Sequence, residues 1–125
     1  MTIGTLYDGG GDDDYCSKGV SQGCGHDRST GILFDAYGND NYLAYDLSQG
    51  AGSANGIGII ADLAGLDAYI VKKADNTQGY GNPRRDYGSI GVFIDTGGSK
   101  DSYAGGPAAD STWWTDSKWG VGLDE

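Results

Sequence analysis

Histidine and methionine occur once each in these 125 residues, and proline and phenylalanine twice each. Only one histidine, His26, could serve as a base, and no G-x-S-x-G, Walker loop or H-E-x-x-H stretch is present, so the expectation is that the chain is not an enzyme. Two prolines exclude a collagen or Pro-rich linker composition. No apolar run approaches the ~20 residues that cross a bilayer, so no membrane insertion is expected. Basic residues are scarce: eight Lys and Arg stand against eighteen Asp and Glu, for a net charge of −10. Such a surface repels nucleic acid and anionic membranes and suits cations or basic partners.

Cysteine is limited to Cys16 and Cys24. Two readings are open for them: a disulfide in an oxidising compartment, or two ordinary small residues. Their C-x7-C spacing is no standard zinc pattern, and Cys24 with His26 makes only half of a metal site.

What the chain does have is glycine, 24 residues, about three times ordinary usage. The glycines recur in phase. Units open with "GTLYD" at Gly4, "GILFD" at Gly31, "GIIAD" at Gly58, "GVFID" at Gly91 and, as a partial fifth, "GVGLD" at Gly120, at spacings of 27, 27, 33 and 29. Within the first four units a second glycine follows (Gly11, Gly38, Gly65, Gly98), then an aspartate (Asp13, Asp40, Asp67, Asp101), then a tyrosine two residues on (Tyr15, Tyr42, Tyr69, Tyr103). The later half repeats as "SQGCG", "SQGAG" and "TQGYG", and the fourth unit replaces it with "STWWTDSKW".

No helical period runs through a unit. Short β-rich stretches alternate with Gly, Asn and Asp. Fixed-period strand–turn repeats are the signature of a solenoid. The expected fold is therefore all-β: a right-handed parallel β-solenoid of about four coils, 27–33 residues each, forming one domain over residues 1–125. Equivalent residues would stack about 4.8 Å apart. Neighbouring side chains on a strand face opposite ways. So of the columns Leu6/Leu33/Ile60/Phe93 and Ile32/Ile59/Val92, one must face outward. Beside the glycine column, that outward stripe would offer a flat surface for packing. The tyrosines would stack into a ladder inside the coil or form a sugar-binding platform.

Stacked aspartates repel unless something compensates them. The candidates are Asp8, Asp35, Asp62 and Asp95 at the end of each opening strand, and Asp13, Asp40, Asp67 and Asp101 after the second glycine, with Asp12 beside Asp13. One remedy is backbone N–H groups of their own turn, with the glycine of D-x-x-G supplying a positive φ. The other is a cation such as Ca²⁺, which takes 6–8 oxygen ligands. Asp12, Asp13 and Asp14 would form the densest cation site. The third unit, with fewer acidic residues, and the fourth, with Lys100 beside Asp101, would be poorer.

"DGGGDDDYC" and "DAYGNDNYL" resemble the RTX-type nonapeptide G-G-x-G-x-D-x-U-x of calcium-binding β-rolls. Gly11, Gly38, Gly65 and Gly98 fit its third glycine, the aspartates two residues or three beyond fit its Asp, and the tyrosines fit its large apolar position. Here an Asp replaces the first glycine, and the nonapeptides are not in tandem. The whole unit also resembles Gly-rich repeats of bacterial surface and secreted proteins. These resemblances imply calcium and an extracellular or cell-surface location.

The chain opens inside a repeat, which reads as a mature or excised piece carrying an added Met. It stops at the opening of a fifth unit. Open strand edges pair with other chains, and a head-to-tail contact that does not close gives a filament. Trp113, Trp114 and Trp119 would either cap the last coil or form a subunit contact. Arg84 and Arg85, in the "NPRRDYGS" insertion, would lie in a solvated loop or meet an acidic ladder on a neighbour. The expected function is a structural or assembly module that self-associates, with calcium as a stabiliser. The alternative is a module that binds glycan or mineral surface through Tyr and Asp ladders.

Overall fold

The computed structural model describes residues 1–98 and 100–125. It is a parallel β-solenoid of about four coils. The first coil carries β1 (Ile3–Asp8), β2 (Asp14–Cys16) and β3 (Gly25–His26), and the second β4 (Thr30–Asp35), β5 (Asn41–Ala44) and β6 (Gly52–Ser53). The third has β7 (Ile57–Asp62) and β8 (Ala68–Val71), and the fourth β9 (Ile90–Asp95), β10 (Ser102–Ala104) and β11 (Trp113–Thr115). The partial fifth unit is β12 (Gly120–Asp124).

Three walls result. The first is a sheet in the order β1-β4-β7-β9-β12, parallel throughout, with β11 added antiparallel at its end. The second is β2-β5-β8-β10, also parallel, and the third is the β3–β6 pair continued by single bridges such as Ser48 to Thr77 and Gly52 to Gly81. Strand register follows the sequence period: Gly4 pairs with Gly31, Gly31 with Gly58, Gly58 with Gly91 and Gly91 with Gly120.

Between the first two walls lies a thin core. Leu33, Ile60 and Phe93 point in from the first wall and meet Tyr42 and Tyr69 from the second, with Tyr15, Tyr103 and Trp114 packed at the ends. The Ile32/Ile59/Val92 column faces out and is half-buried. Parallel stacking brings Tyr15, Tyr42, Tyr69 and Tyr103 into one column with ring centroids 4.8, 4.7 and 5.1 Å apart and planes within 7°. Offset stacking at strand spacing is favourable for aromatic rings.

The glycine column, expected to flank the outward apolar stripe, does not share its surface. It faces inward, against the third wall. A Cβ at Gly58 would collide with the carbonyl of Ala51, and one at Gly91 with the carbonyl of Tyr80. The first-wall backbone touches the third-wall carbonyls there because the first-wall residue carries no side chain. Left-handed backbone is used elsewhere, at the S/T-Q-G corner, where Gln22, Gln49 and Gln78 have φ of 47°, 51° and 52° and the glycines after them 76°, 79° and 84°.

The last coil is closed by residues outside the repeat. Gly122 occupies the inward column where other coils carry Leu, Ile or Phe, and the Trp114 indole fills the space its side chain would take. Trp114 packs on Phe93 and donates its Nε1–H to the Gln78 carbonyl at 2.9 Å. Of the three tryptophans, Trp114 thus caps the coil, while Trp113 stays 72% exposed and Trp119 lies against Gly88 and beneath Lys118.

Candidate metal centre

Two aspartate columns approach each other inside the solenoid. The first comes from the ends of the first-wall strands: Asp35, Asp62, Asp95 and Asp124, all buried. The period of two that turns Leu33 inward also turns Asp35 inward. The second column, Asp40, Asp67 and Asp101, is buried across the corner.

Members of the first column do make turns of their own: Asp35 Oδ1 accepts Tyr37 N–H and Asp62 Oδ1 accepts Ala64 N–H, each at 3.3 Å. Their other oxygens take tyrosine hydroxyls. Tyr15 donates to Asp35 at 2.5 Å, Tyr42 to Asp62 at 2.7 Å, and Tyr103 to both Asp95 and Asp124 at 2.8 and 2.6 Å. Burial and these carboxylates push the tyrosine hydroxyls well above their ordinary range, so they stay neutral donors.

The second column does not cap its own turns. Each carboxylate reaches one coil back: Asp40 Oδ1 accepts Asp13 N–H, Asp67 Oδ1 accepts Asp40 N–H and Asp101 Oδ1 accepts Asp67 N–H, all at 2.6 Å. At the end, Asp110, outside the repeat, accepts Asp101 N–H at 2.9 Å in place of a fifth-unit aspartate. The preceding glycines are glycines for room rather than for φ. Neither Gly38 nor Gly65 has a positive φ, but a Cβ at Gly38 would strike the Gly11 carbonyl and the Asp40 carboxylate, and one at Gly65 the Gly38 carbonyl.

Three groups of carboxylates therefore hold oxygens within 4.8 Å of one another: Asp40 with Asp62 and Asp67; Asp67 with Asp95 and Asp101; Asp101 with Asp110 and Asp124. Buried oxygens without a hydrogen-bond partner among the described residues occur in the first two, at Asp40 Oδ2, Asp67 Oδ2 and Asp95 Oδ1. Burial first, then the neighbouring carboxylates, raise these groups. Asp40 is pushed up to about 6 despite the N–H of Asp13, Asp67 to about 7 despite that of Asp40, and Asp95 to about 8 despite the Tyr103 hydroxyl. Asp62 and Asp101 are raised as well. Left alone, the column resists full ionisation at neutral pH.

A cation removes that conflict. All the donors are carboxylate oxygens, which selects hard ions over zinc or copper. Ca²⁺–oxygen distances of about 2.3–2.6 Å place ligands on opposite sides of the ion roughly 4.6–5.2 Å apart, the scale of these groups.

The expected sites are redistributed. Asp8, Asp12, Asp13 and Asp35 belong to none of the three groups. Asp12 is exposed and accepts from the Asn39 backbone and side chain at 2.9 and 3.1 Å, and Asp14 accepts from Asn41, so the densest acidic run is spent on bonds between coils. The third unit, expected to be the poorer one, supplies Asp67 to two groups. Asp110 and Asp124 carried no sequence signal beyond a partial fifth repeat.

Of the two readings open for Cys16 and Cys24, the structure has the unpaired one: both are free thiols. Cys16 faces outward on β2, whereas Cys24 sits in the third wall, where burial pushes its thiol up to about 12. Arg85 pairs with Asp27 of its own first unit, and Arg28 lies over the Tyr87 ring, so the basic insertion braces a corner of the same chain. Tyr42 and Tyr69 are fully buried and offer no ring face to a surface ligand. Comparison with protein-family models, curated proteins and solved structures found no match.

Proposed function

We infer that the chain is a non-enzymatic structural module, working outside the cell, whose solenoid is fastened by Ca²⁺ held in the interior carboxylate column. The observation that carries this reading is the pair of groups centred on Asp67, where buried carboxylate oxygens converge with no hydrogen-bond donor among the described residues for Asp40 Oδ2, Asp67 Oδ2 or Asp95 Oδ1. An uncompensated buried carboxylate is costly, and a shared divalent ion is the remedy that uses several of them at once. Calcium outside cells is abundant enough to fill sites of only millimolar affinity.

A structural role is also supported by where the acidic residues lie. The converging carboxylates are inside the coil. Two of the surface concavities are lined instead by Arg28, Asn55, Ile57 and Ser89, or by Asp27, Arg85 and Tyr87. Thermal unfolding at pH 8 in chelator and in excess Ca²⁺ tests the reading. Binding to the folded state alone stabilises by mass action, about 2.7 kcal/mol at a hundred times the dissociation constant. The expected result is a higher Tm in Ca²⁺. An unchanged Tm at millimolar Ca²⁺ leaves the column without its cation.

A further inference from the structure

The two ends of the solenoid are chemically unlike. At the C-terminal end three of the inter-coil interactions are completed although the second-wall edge, β10, has no further strand: Asp110 accepts Asp101 N–H, Asp124 accepts the Tyr103 hydroxyl, and Trp114 fills the column. At the N-terminal end the same positions are open. Asp40, Asp67 and Asp101 each accept a backbone N–H from one coil earlier, whereas the Asp13 carboxylate accepts from no described residue. Asp35, Asp62 and Asp124 each take the hydroxyl of the tyrosine one coil earlier, whereas Asp95 takes that of its own coil and Asp62 that of its own coil as well; Asp8, in the same column, has no earlier tyrosine. Leu6 is 44% exposed where Leu33 below it is 3% exposed, and a hollow lined by Leu6, Tyr15, Gln22 and Leu33 opens between them.

The geometry points to the N-terminal end as a docking face for one further β-solenoid coil of this same D-x-x-G-x-D-x-Y type, stacked parallel on β1 and β2. That coil would donate a backbone N–H to Asp13 and a tyrosine hydroxyl to Asp8, and its apolar strand would cover Leu6. The occupant is not the C-terminal end of a second copy, because there Asp101 N–H and the Tyr103 hydroxyl are already used. Nor is it a second N-terminal end, which would bring acceptors and the charges of Asp8, Asp12, Asp13 and Asp14 against their like.

The test extends the full chain by one coil, placing a copy of residues 31–57 directly before Gly4, in phase. A matched extension of the same residues in scrambled order is the control. The in-phase extension is expected to raise Tm by more than about 5 °C and to slow amide exchange across residues 3–16. Asp13→Ala is expected to leave the Tm of the unextended chain unchanged and to lower that of the extended one. Equal Tm and equal exchange for the in-phase and scrambled extensions would overturn the proposal, as would loss of protection in residues 3–16. Light scattering that finds the unextended chain dimeric through this end would overturn it in favour of a second copy.

Discussion

Raising the pH from 5 to 8 in chelator is expected to destabilise the folded chain. Asp40, Asp67 and Asp95 have folded-state values of about 6, 7 and 8 against 3.8 for an unperturbed Asp. Between those limits the folded state holds protons that the unfolded state has released, so stability falls as pH rises and is greatest on the acid side of the window. Each tenfold difference in proton affinity between the two states is worth ~1.4 kcal/mol. Over pH 5 to 8, Asp95 alone contributes a loss of about 3–4 kcal/mol and Asp67 about 2–3 kcal/mol. The groups face one another and titrate together, so the total is on the order of 3–5 kcal/mol rather than the sum. For a chain of this size that is a fall in Tm on the order of 10 °C. Circular dichroism melts at half-unit pH steps provide the assay. Millimolar Ca²⁺ should flatten the slope by holding the carboxylates ionised, and Asp67→Asn should reduce it without Ca²⁺. A Tm that is flat or rises from pH 5 to 8 in chelator would mean that the buried carboxylates hold no extra protons in the folded state.

Other outcomes follow from the same geometry. Gly58→Ala drives a Cβ into the Ala51 carbonyl, where no side chain can yield, and should cost about 2–4 kcal/mol in denaturant unfolding. Trp114→Ala empties the capped end and strands the Gln78 carbonyl. A loss of about 3–5 kcal/mol, with loss of near-ultraviolet dichroism, is expected. Thiol titration of the unfolded, non-reduced chain should count two free thiols, and replacing both cysteines with serine should shift Tm little.

The fold was legible because stacking preserves residue identity. A spacing of 27 between Gly4 and Gly31 is the register itself. The facing of the first wall was not, since Leu33 and Ile60 differ little in character from Ile32 and Ile59. The facing is decided by the tyrosine column that comes across from the second wall. The role of Gly38 was hidden because φ and available space both favour glycine, and only the neighbouring coil distinguishes them. The aspartates were visible as columns, but the bond from each Asp to the coil before it is a relation between repeats, which no single motif displays. Asp110 was the least legible, as it stands in for a missing repeat residue from a segment with no period; a tryptophan cap was one of the two readings, but not which of the three tryptophans supplies it. Asp12 to Asp14 misled by density: acidic residues adjacent in sequence alternate in direction, whereas those a coil apart converge.

Equilibrium dialysis of Ca²⁺ against the full chain at pH 8 decides whether the carboxylate column holds cations. At least two ions per chain are expected for the wild type, with a loss of binding in Asp67→Asn, since Asp67 serves two of the three groups. No bound Ca²⁺ at millimolar concentration, or undiminished binding by Asp67→Asn, would mean that the column is not a calcium site.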